Sequence, residues 1–308
     1  MTWSTDELPD LTGTTAIVTG ANSGIGFETA RALARSGATV TLACRNAASA
    51  QHAAERIRSN RKDLDSQQAD VRVADLDLSS LSSVRTFAQA WEGPLNLLVN
   101  NAGVMAPRTW QGTPDGFELQ FGTNHLGHFA LTGLLLMALK AGASERVVTV
   151  ASLAHQRGRA DVLDGNPAQS YQPERAYGNS KLANMLFGAE LQRRASAHGS
   201  ALTSTMSHPG VSATGLVADR QGMGAIPVVR MAAPLVMRLL CQSASAGANS
   251  SLFAATAATP GSYTGPQWLG EMRGPVGAAR MSALAQDQEL AARLWQVSQN
   301  LTGVEYRW

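Results

Sequence analysis

Thr14-Thr15-Ala16-Ile17-Val18-Thr19-Gly20-Ala21-Asn22-Ser23-Gly24-Ile25-Gly26 is the stretch on which the fold turns. Its first half is a short, apolar, β-branched run, the composition of a strand covered on both faces. Its second half is a glycine turn leading directly into a helical pattern over residues 25–35. Glycine at 20, 24 and 26 lets the backbone turn tightly, come close to a pyrophosphate and pack the helix on the strand. Amides exposed at a helix start favour an anion, so Gly20, Asn22, Ser23, Gly24, Ile25 and Gly26 are candidate nucleotide-binding residues. Glycine clusters are common between strands and helices, and it is the position at the first such junction that gives this one weight.

The same alternation continues outward. Short β-branched runs at 39–43, 71–74, 95–99, 146–150 and 203–207 alternate with helical stretches at 47–61, 81–91, 115–139 and 175–198. A last short strand is expected around Tyr263 and a closing helix over about 282–299. Such alternation forces parallel pairing through right-handed crossovers. The expected fold class is therefore α/β, a doubly wound parallel sheet with helices on both faces, forming one domain over 1–308. Ligands of such sheets bind beyond the carboxyl ends of the strands. Two segments break the rhythm at that edge. Residues 155–173, polar and rich in Gly, Pro and Asp, read as an inserted loop, and 211–245 read as a lid. Within the second, AIPVVRMAAPLVMRLLC at 225–241 carries only Arg230 and Arg238 as charges, and Met223, Met231 and Met237 would make an adaptable wall. A cover over an apolar substrate, a subunit contact and a membrane-surface element compete for it, the cover being preferred.

Composition excludes other classes. At 308 residues, 44% hydrophobic and 16% charged, with a formal charge of +2, the chain offers no case for a nucleic-acid partner. Arg56, Arg58, Arg61 and Lys62 read as the exposed end of a helix rather than a basic patch. Cys44 and Cys241 stand alone, with neither metal-ligand spacing nor a disulfide framework, so no metal site is expected and a reducing compartment is. Residues 1–11 lack a basic start and an apolar run, and no stretch reaches the roughly 18 apolar residues that span a bilayer. A cytoplasmic location follows, with peripheral membrane contact through 225–241 compatible with it. Sequons at Asn249 and Asn300 are chance matches in that setting. Oligomeric state is left open, a homodimer among the options.

Tyr177-Gly178-Asn179-Ser180-Lys181 opens a helical stretch, so the phenol and the amine share a face one turn apart. A free phenol, with a pKa of about 10, is a poor base at neutral pH, and a nearby ammonium, joined by the positive ring of a bound oxidised nucleotide, favours its ionised form. A downward shift of roughly two to three units is within reach of such a pair, equivalent to about 3–4 kcal/mol. Alone, the pair is an ordinary motif of amphipathic helices.

The glycine spacing resembles the TGxxxGxG pattern of the short-chain dehydrogenase/reductase family. Asn100-Asn101-Ala102-Gly103 matches that family's NNAG, and the order of motifs promotes the pair at 177 and 181. The resemblance implies that Asn101, Ala102 and Gly103 lie against the adenosine ribose. It implies too that Asp77, in Asp77-Leu78, accepts from the adenine amino group, though an acid at a helix start is equally natural there. Ser152 would steady the substrate oxygen, Tyr177 transfer the proton, Lys181 tune Tyr177 and hold the nicotinamide ribose, and Asn124 hold a water linking Lys181 to solvent. Pro209 and Thr214 would touch the nicotinamide end, with His208 structural. The second strand ends Leu42-Ala43-Cys44-Arg45, where Cys44 replaces the acid that holds the ribose of NAD, and Arg45 can fork onto a 2′-phosphate, so NADP(H) is expected over NAD(H). The insertion, with ACRN at 43–46, VASLAH at 150–155, SKLAN at 180–184 and HPGV at 208–211, is similar to the retinol dehydrogenase and protochlorophyllide reductase-like branch. That implies an oxidoreductase interconverting carbonyl and alcohol on a small apolar substrate. A non-catalytic NADP-binding regulatory or interaction protein on the same fold is the alternative, and it has no need of a Tyr–Lys pair.

Overall fold

The computed structural model describes residues 3–59, 70–105, 107–142, 145–211 and 242–308. Thr214, Cys241 and nearly all of the expected lid lie outside the described residues. Eight strands form one sheet, with β1 (Thr15–Thr19), β2 (Thr39–Cys44), β3 (Val71–Asp75), β4 (Leu97–Asn100), β5 (Arg146–Val150), β6 (Thr203–Ser207), β7 (Tyr263–Trp268) and β8 (Arg273–Ala278). Their order is β3-β2-β1-β4-β5-β6-β7-β8. Every neighbouring pair up to β7 is parallel, and only β8 runs antiparallel. The fold is thus the doubly wound sheet expected. Progression along the sheet reverses between β1 and β4, and at that point a crevice opens beyond the strand ends.

Helices cover both faces, which is why the strands read as continuous apolar runs. On one side α1 (Gly24–Arg35) and α2 (Ala47–Ser59) pack with a later helix, α8 (Ala244–Thr256), around Phe27, Leu33, Val40, Leu42, Ile57 and Leu252. On the other lie α3 (Leu81–Gln89), α4 (Leu119–Phe121), α5 (Gly127–Leu134), α6 (Leu136–Lys140) and the long α7 (Pro173–Ala197). The closing helix α9 (Gln288–Thr302) packs outside α7. Trp295 of α9 meets Phe129 of α5 edge to face at 5.1 Å, and the Tyr306 hydroxyl beyond it donates to the Phe129 carbonyl at 2.7 Å.

The structure departs from the sequence reading in four places. The helix expected over 115–139 begins only at Leu119, where the Glu118 carboxylate caps it by accepting from Gln120 and Phe121 amides at 3.0 and 2.9 Å. It then widens into a π turn over Gly122–Leu126, with the Gly127 amide donating five residues back to Gly122. The closing helix starts later than expected, because Asp287 caps it by accepting from the Leu290 amide at 2.9 Å. Neither α8 nor β8 was anticipated. Residues 155–173 run as short 3-10 turns at Leu153–Arg157, Ala160–Asp164 and Ala168–Ser170. Asn166 ties them down, donating to Glu118 and accepting from Asn179, both at 3.0 Å.

Candidate active site

The crevice at the switch point has a volume of about 350 Å³ and gathers nearly every site residue named from the sequence. Gly20, Asn22, Ser23, Gly24, Ile25, Gly26, Arg45, Asp77, Leu78, Asn101, Ala102, Gly103, Tyr177, Lys181 and Pro209 all line it. Asn124 and Ser152 stand just behind its wall. A larger hollow of about 770 Å³, between α5 and α9, is rimmed by Arg85, Gln296, Asn300, Glu305 and Arg307 and has no Tyr, Lys, His or Cys among its lining residues.

Its floor is made by glycine. Gly20, at φ +65°, and Gly24, at φ +57°, take a backbone conformation that side chains resist. A Cβ on Gly20 would sit 3.0 Å from Ala102, and one on Gly26 would meet the Asn101 side chain at 2.4 Å. The glycine turn therefore lies directly on Asn101-Ala102. Ser23, at the N-cap of α1, makes no side-chain capping bond, which leaves the first amides of the helix available to an anion. The buried Thr123 hydroxyl on the same wall also has no partner among the described residues. These features fit a nucleotide diphosphate.

At the adenosine end, Cys44 is 3% exposed, its thiol beside the amides of Gly20, Ala21 and Asn22, and burial pushes its pKa up. No carboxylate occupies that place. Arg45 next to it is exposed, without an ion-pair partner among the described residues. The Oδ1 of Asp77 accepts from the Ser79 amide and hydroxyl at 2.9 and 2.7 Å, which leaves its other oxygen for a ligand. The helix-start role and the ligand role are compatible in one residue.

At the opposite end, Tyr177 and Lys181 stand on consecutive turns of α7. Lys181 is 4% exposed, its Nζ 5.8 Å from the Tyr177 ring centre and donating to the Val150 carbonyl at 3.1 Å. Burial draws the amine down to about 8. Burial also pushes the Tyr177 phenol up, against the pull of its hydrogen bond with Ser152. In the protein alone, without an oxidised nicotinamide beside the phenol, desolvation outweighs that bond. Ser152 caps the turn after β5, accepting from the Ala154 amide at 3.2 Å, while it contacts the phenol. His155 holds the backbone there, its Nδ1 donating to the Ser152 carbonyl at 2.8 Å and its Nε2 accepting from Ser282 at 3.2 Å.

Asn124 is fully buried, its side chain spent on protein. It accepts from the Val104 amide at 2.8 Å and donates to the Val104 carbonyl at 3.0 Å and to Ser180 Oγ at 2.9 Å. Gly103 lies between Asn124 and Lys181, a Cβ there being 3.2 Å from Asn124 Oδ1 and 3.6 Å from Lys181 Nζ. Two residues that the sequence reading passed over belong to this assembly, Thr19 and His128. The signal for His128 was present: it follows Asn124 by four residues, on the same helical face.

A family model described as "short chain dehydrogenase" matches residues 14–223. The chain belongs to that family. It is similar to human "Retinol dehydrogenase 13", 41% identical over 298 residues that cover 95% of this chain and 86% of the relative. Mouse "Polyprenol dehydrogenase" is 42% identical over 305 residues, 96% of this chain and 86% of that one. Among solved structures, one titled as a putative uncharacterized protein from Mycobacterium Paratuberculosis has a TM-score of 0.81 at 40% identity, with both chains fully covered. The chain is an oxidoreductase of the retinol dehydrogenase-like branch. No described helix is long and apolar enough to cross a membrane.

Proposed function

We propose that the protein interconverts a carbonyl and an alcohol on an apolar substrate, using NADP(H) in preference to NAD(H). One observation carries this reading: Tyr177 and Lys181 lie one helical turn apart in the crevice floored by the glycine turn. A nicotinamide ring, when bound, supplies or takes up the hydride. The chain does the rest. Tyr177 gives or receives the proton at the substrate oxygen, Ser152 donates a hydrogen bond to that oxygen, and Lys181 offers the nearby positive charge that favours phenolate. Asn124 keeps Ser180 and Val104 in place beside them; its amide hydrogens are spent there, so only its oxygen is left to hold a water that links Lys181 to solvent.

The preference for a 2′-phosphate is supported by exposed Arg45 and by Cys44 where a repelling carboxylate would sit. The apolar substrate is supported by relatives named for retinol and polyprenol, both long lipophilic alcohols. Cytoplasmic residence, a lid over 211–245 with peripheral membrane contact, and the contacts of Pro209 and Thr214 belong to the same proposal. A panel of lipophilic aldehydes and ketones assayed for NADPH and NADH consumption tests it. Turnover with NADPH should exceed that with NADH, Arg45→Asp should reverse the preference, and Tyr177→Phe should lower turnover by about 10²–10⁴ with nucleotide affinity kept. Nucleotide binding with no turnover across the panel would favour the non-catalytic alternative.

A further inference from the structure

The helix that carries Asn124 holds another buried polar group. His128, 1% exposed, stands one turn further on. Its Nδ1 lies 2.9 Å from the Asn124 carbonyl, which only accepts, so Nδ1 carries a proton. Burial, with Lys181 nearby, draws the ring's pKa down to about 4, so the imidazole is neutral at physiological pH and its Nε2 is bare. That nitrogen lies 2.9 Å from Thr19 Oγ1 and accepts from it. The other acceptor within reach of the hydroxyl, the Val99 carbonyl, is farther, at 3.3 Å. With its hydrogen committed to His128, the Thr19 oxygen accepts from the amides of Asn101 and Ala102, each at 2.9 Å.

We propose that His128 is a positioning residue for the nucleotide: by taking the Thr19 hydroxyl hydrogen it aims that oxygen's lone pairs at Asn101 and Ala102 and pins them under the glycine turn. The inference rests on the reading of the crevice as a nicotinamide-nucleotide site. The bonds join three elements, the π turn through the Asn124 carbonyl, the end of β1 through Thr19, and the end of β4 through Asn101-Ala102. Those two strands flank the switch point. Gly20 and Gly26 touch the same two residues with no room for a Cβ, so a displacement of Asn101-Ala102 by tenths of an ångström reaches the phosphate-facing turn. A reversed tautomer would turn the threonine hydrogen to the more distant Val99 carbonyl and set three donors, the ring and the two amides, against one hydroxyl oxygen.

Two measurements on the full chain test this. A long-range 15N–1H spectrum of the histidine rings should find His128 protonated at Nδ1 and bare at Nε2; the opposite tautomer, or an imidazolium at pH 7, overturns the proposal without reference to any ligand. NADPH titrations of wild type, Thr19→Val, His128→Phe and the double variant supply the second. Each single change should weaken binding about five- to tenfold, and the double change no more than the worse single one, because both remove the same link. His128→Gln, whose Oε1 reaches the place of Nε2, should recover most of the loss. Losses that multiply, or a His128→Phe protein that binds like wild type, overturn it. Should His128→Phe fail to fold, Thr19→Val, His128→Gln and the ring spectrum still decide. A wild type that binds no nucleotide would end the nucleotide reading as well, whereas normal wild-type binding with independent losses would end this inference alone.

Discussion

Burial acts in opposite senses on the two groups that matter most. It raises the phenol of Tyr177 and draws the amine of Lys181 down to about 8, so each is pushed toward its neutral form. As pH rises, the first proton of the pair therefore leaves Lys181 rather than Tyr177. Carbonyl reduction needs a protonated phenol, and the reduced nicotinamide that would stand beside it adds no positive charge. Reductive turnover is expected to stay level up to at least pH 8, with any decline setting in above that. Oxidation of the alcohol needs the phenolate, and its rate should climb over the same range. Lys181→Met, by removing the cationic amine beside the phenol, should depress the oxidative direction more than the reductive one. Paired pH–rate profiles of kcat in both directions check this, and a reductive rate that falls between pH 6 and 7.5 would mean that the phenol titrates far lower than its surroundings dictate.

At the scale of elements, the helix from Leu119 to Lys140 governs the site through close approach. A Cβ on Gly127 would lie 2.3 Å from the Leu78 carbonyl, in the segment that carries Asp77 into the crevice. Gly127→Ala must push the helix away from that segment, an overpacking expected to cost about 1–3 kcal/mol in urea denaturation and to weaken nucleotide binding as well. Unchanged stability would mean that the contact is slack. This interruption was invisible in the sequence, because residues 115–139 keep a helical apolar rhythm, and a π turn inserts a residue without any punctuating Gly-Pro signal. The glycine turn and NNAG were legible because backbone clashes leave only glycine or alanine there. Helix α8 was missed because Ala, Gly and Ser dominate Ala244–Thr256 and bury without amphipathic contrast. Strand β8 was missed because Gly274, Pro275 and Gly277 read as turn residues, and only the sheet edge makes them a strand. The positions of Tyr177, Lys181, Ser152 and Asn124 were legible as motifs. The bonds that spend the Asn124 side chain on Val104 and Ser180, and the direction of the Tyr177 shift, were not, because both depend on tertiary burial.

Across the whole molecule, four buried histidines set an acid limit, His155 being drawn down by burial like His125, His128 and His208. His125, His128 and His208 are held down to about 3, about 4 and about 3, against 6.5 for the free ring. Below pH 6.5 the unfolded chain takes up protons that the folded chain refuses, so stability falls with pH until the folded values are reached, and the full contribution is present only above 6.5. Each ring contributes a slope of up to about 1.4 kcal/mol per pH unit in that window. His125 isolates the effect, since it packs among Phe121, Phe129 and Phe187 at ring separations of 5.2, 6.2 and 6.1 Å, with its Nδ1 buried and unpartnered among the described residues. Its one hydrogen bond among the described residues runs from Nε2 to Ser298 Oγ at 2.8 Å, and that hydroxyl also donates to the Leu294 carbonyl at 2.8 Å. A phenylalanine at 125 would therefore keep the ring packing, remove an unsatisfied nitrogen and leave Ser298 its carbonyl partner. His125→Phe should match wild type closely at pH 7.5 in urea denaturation, and exceed it by about 1–2 kcal/mol at pH 5, where the wild-type ring has become a proton-uptake site only in the unfolded chain. Equal pH slopes for the two proteins between 4.5 and 6.5 would show that His125 is protonated in the folded state, contrary to its apolar surroundings.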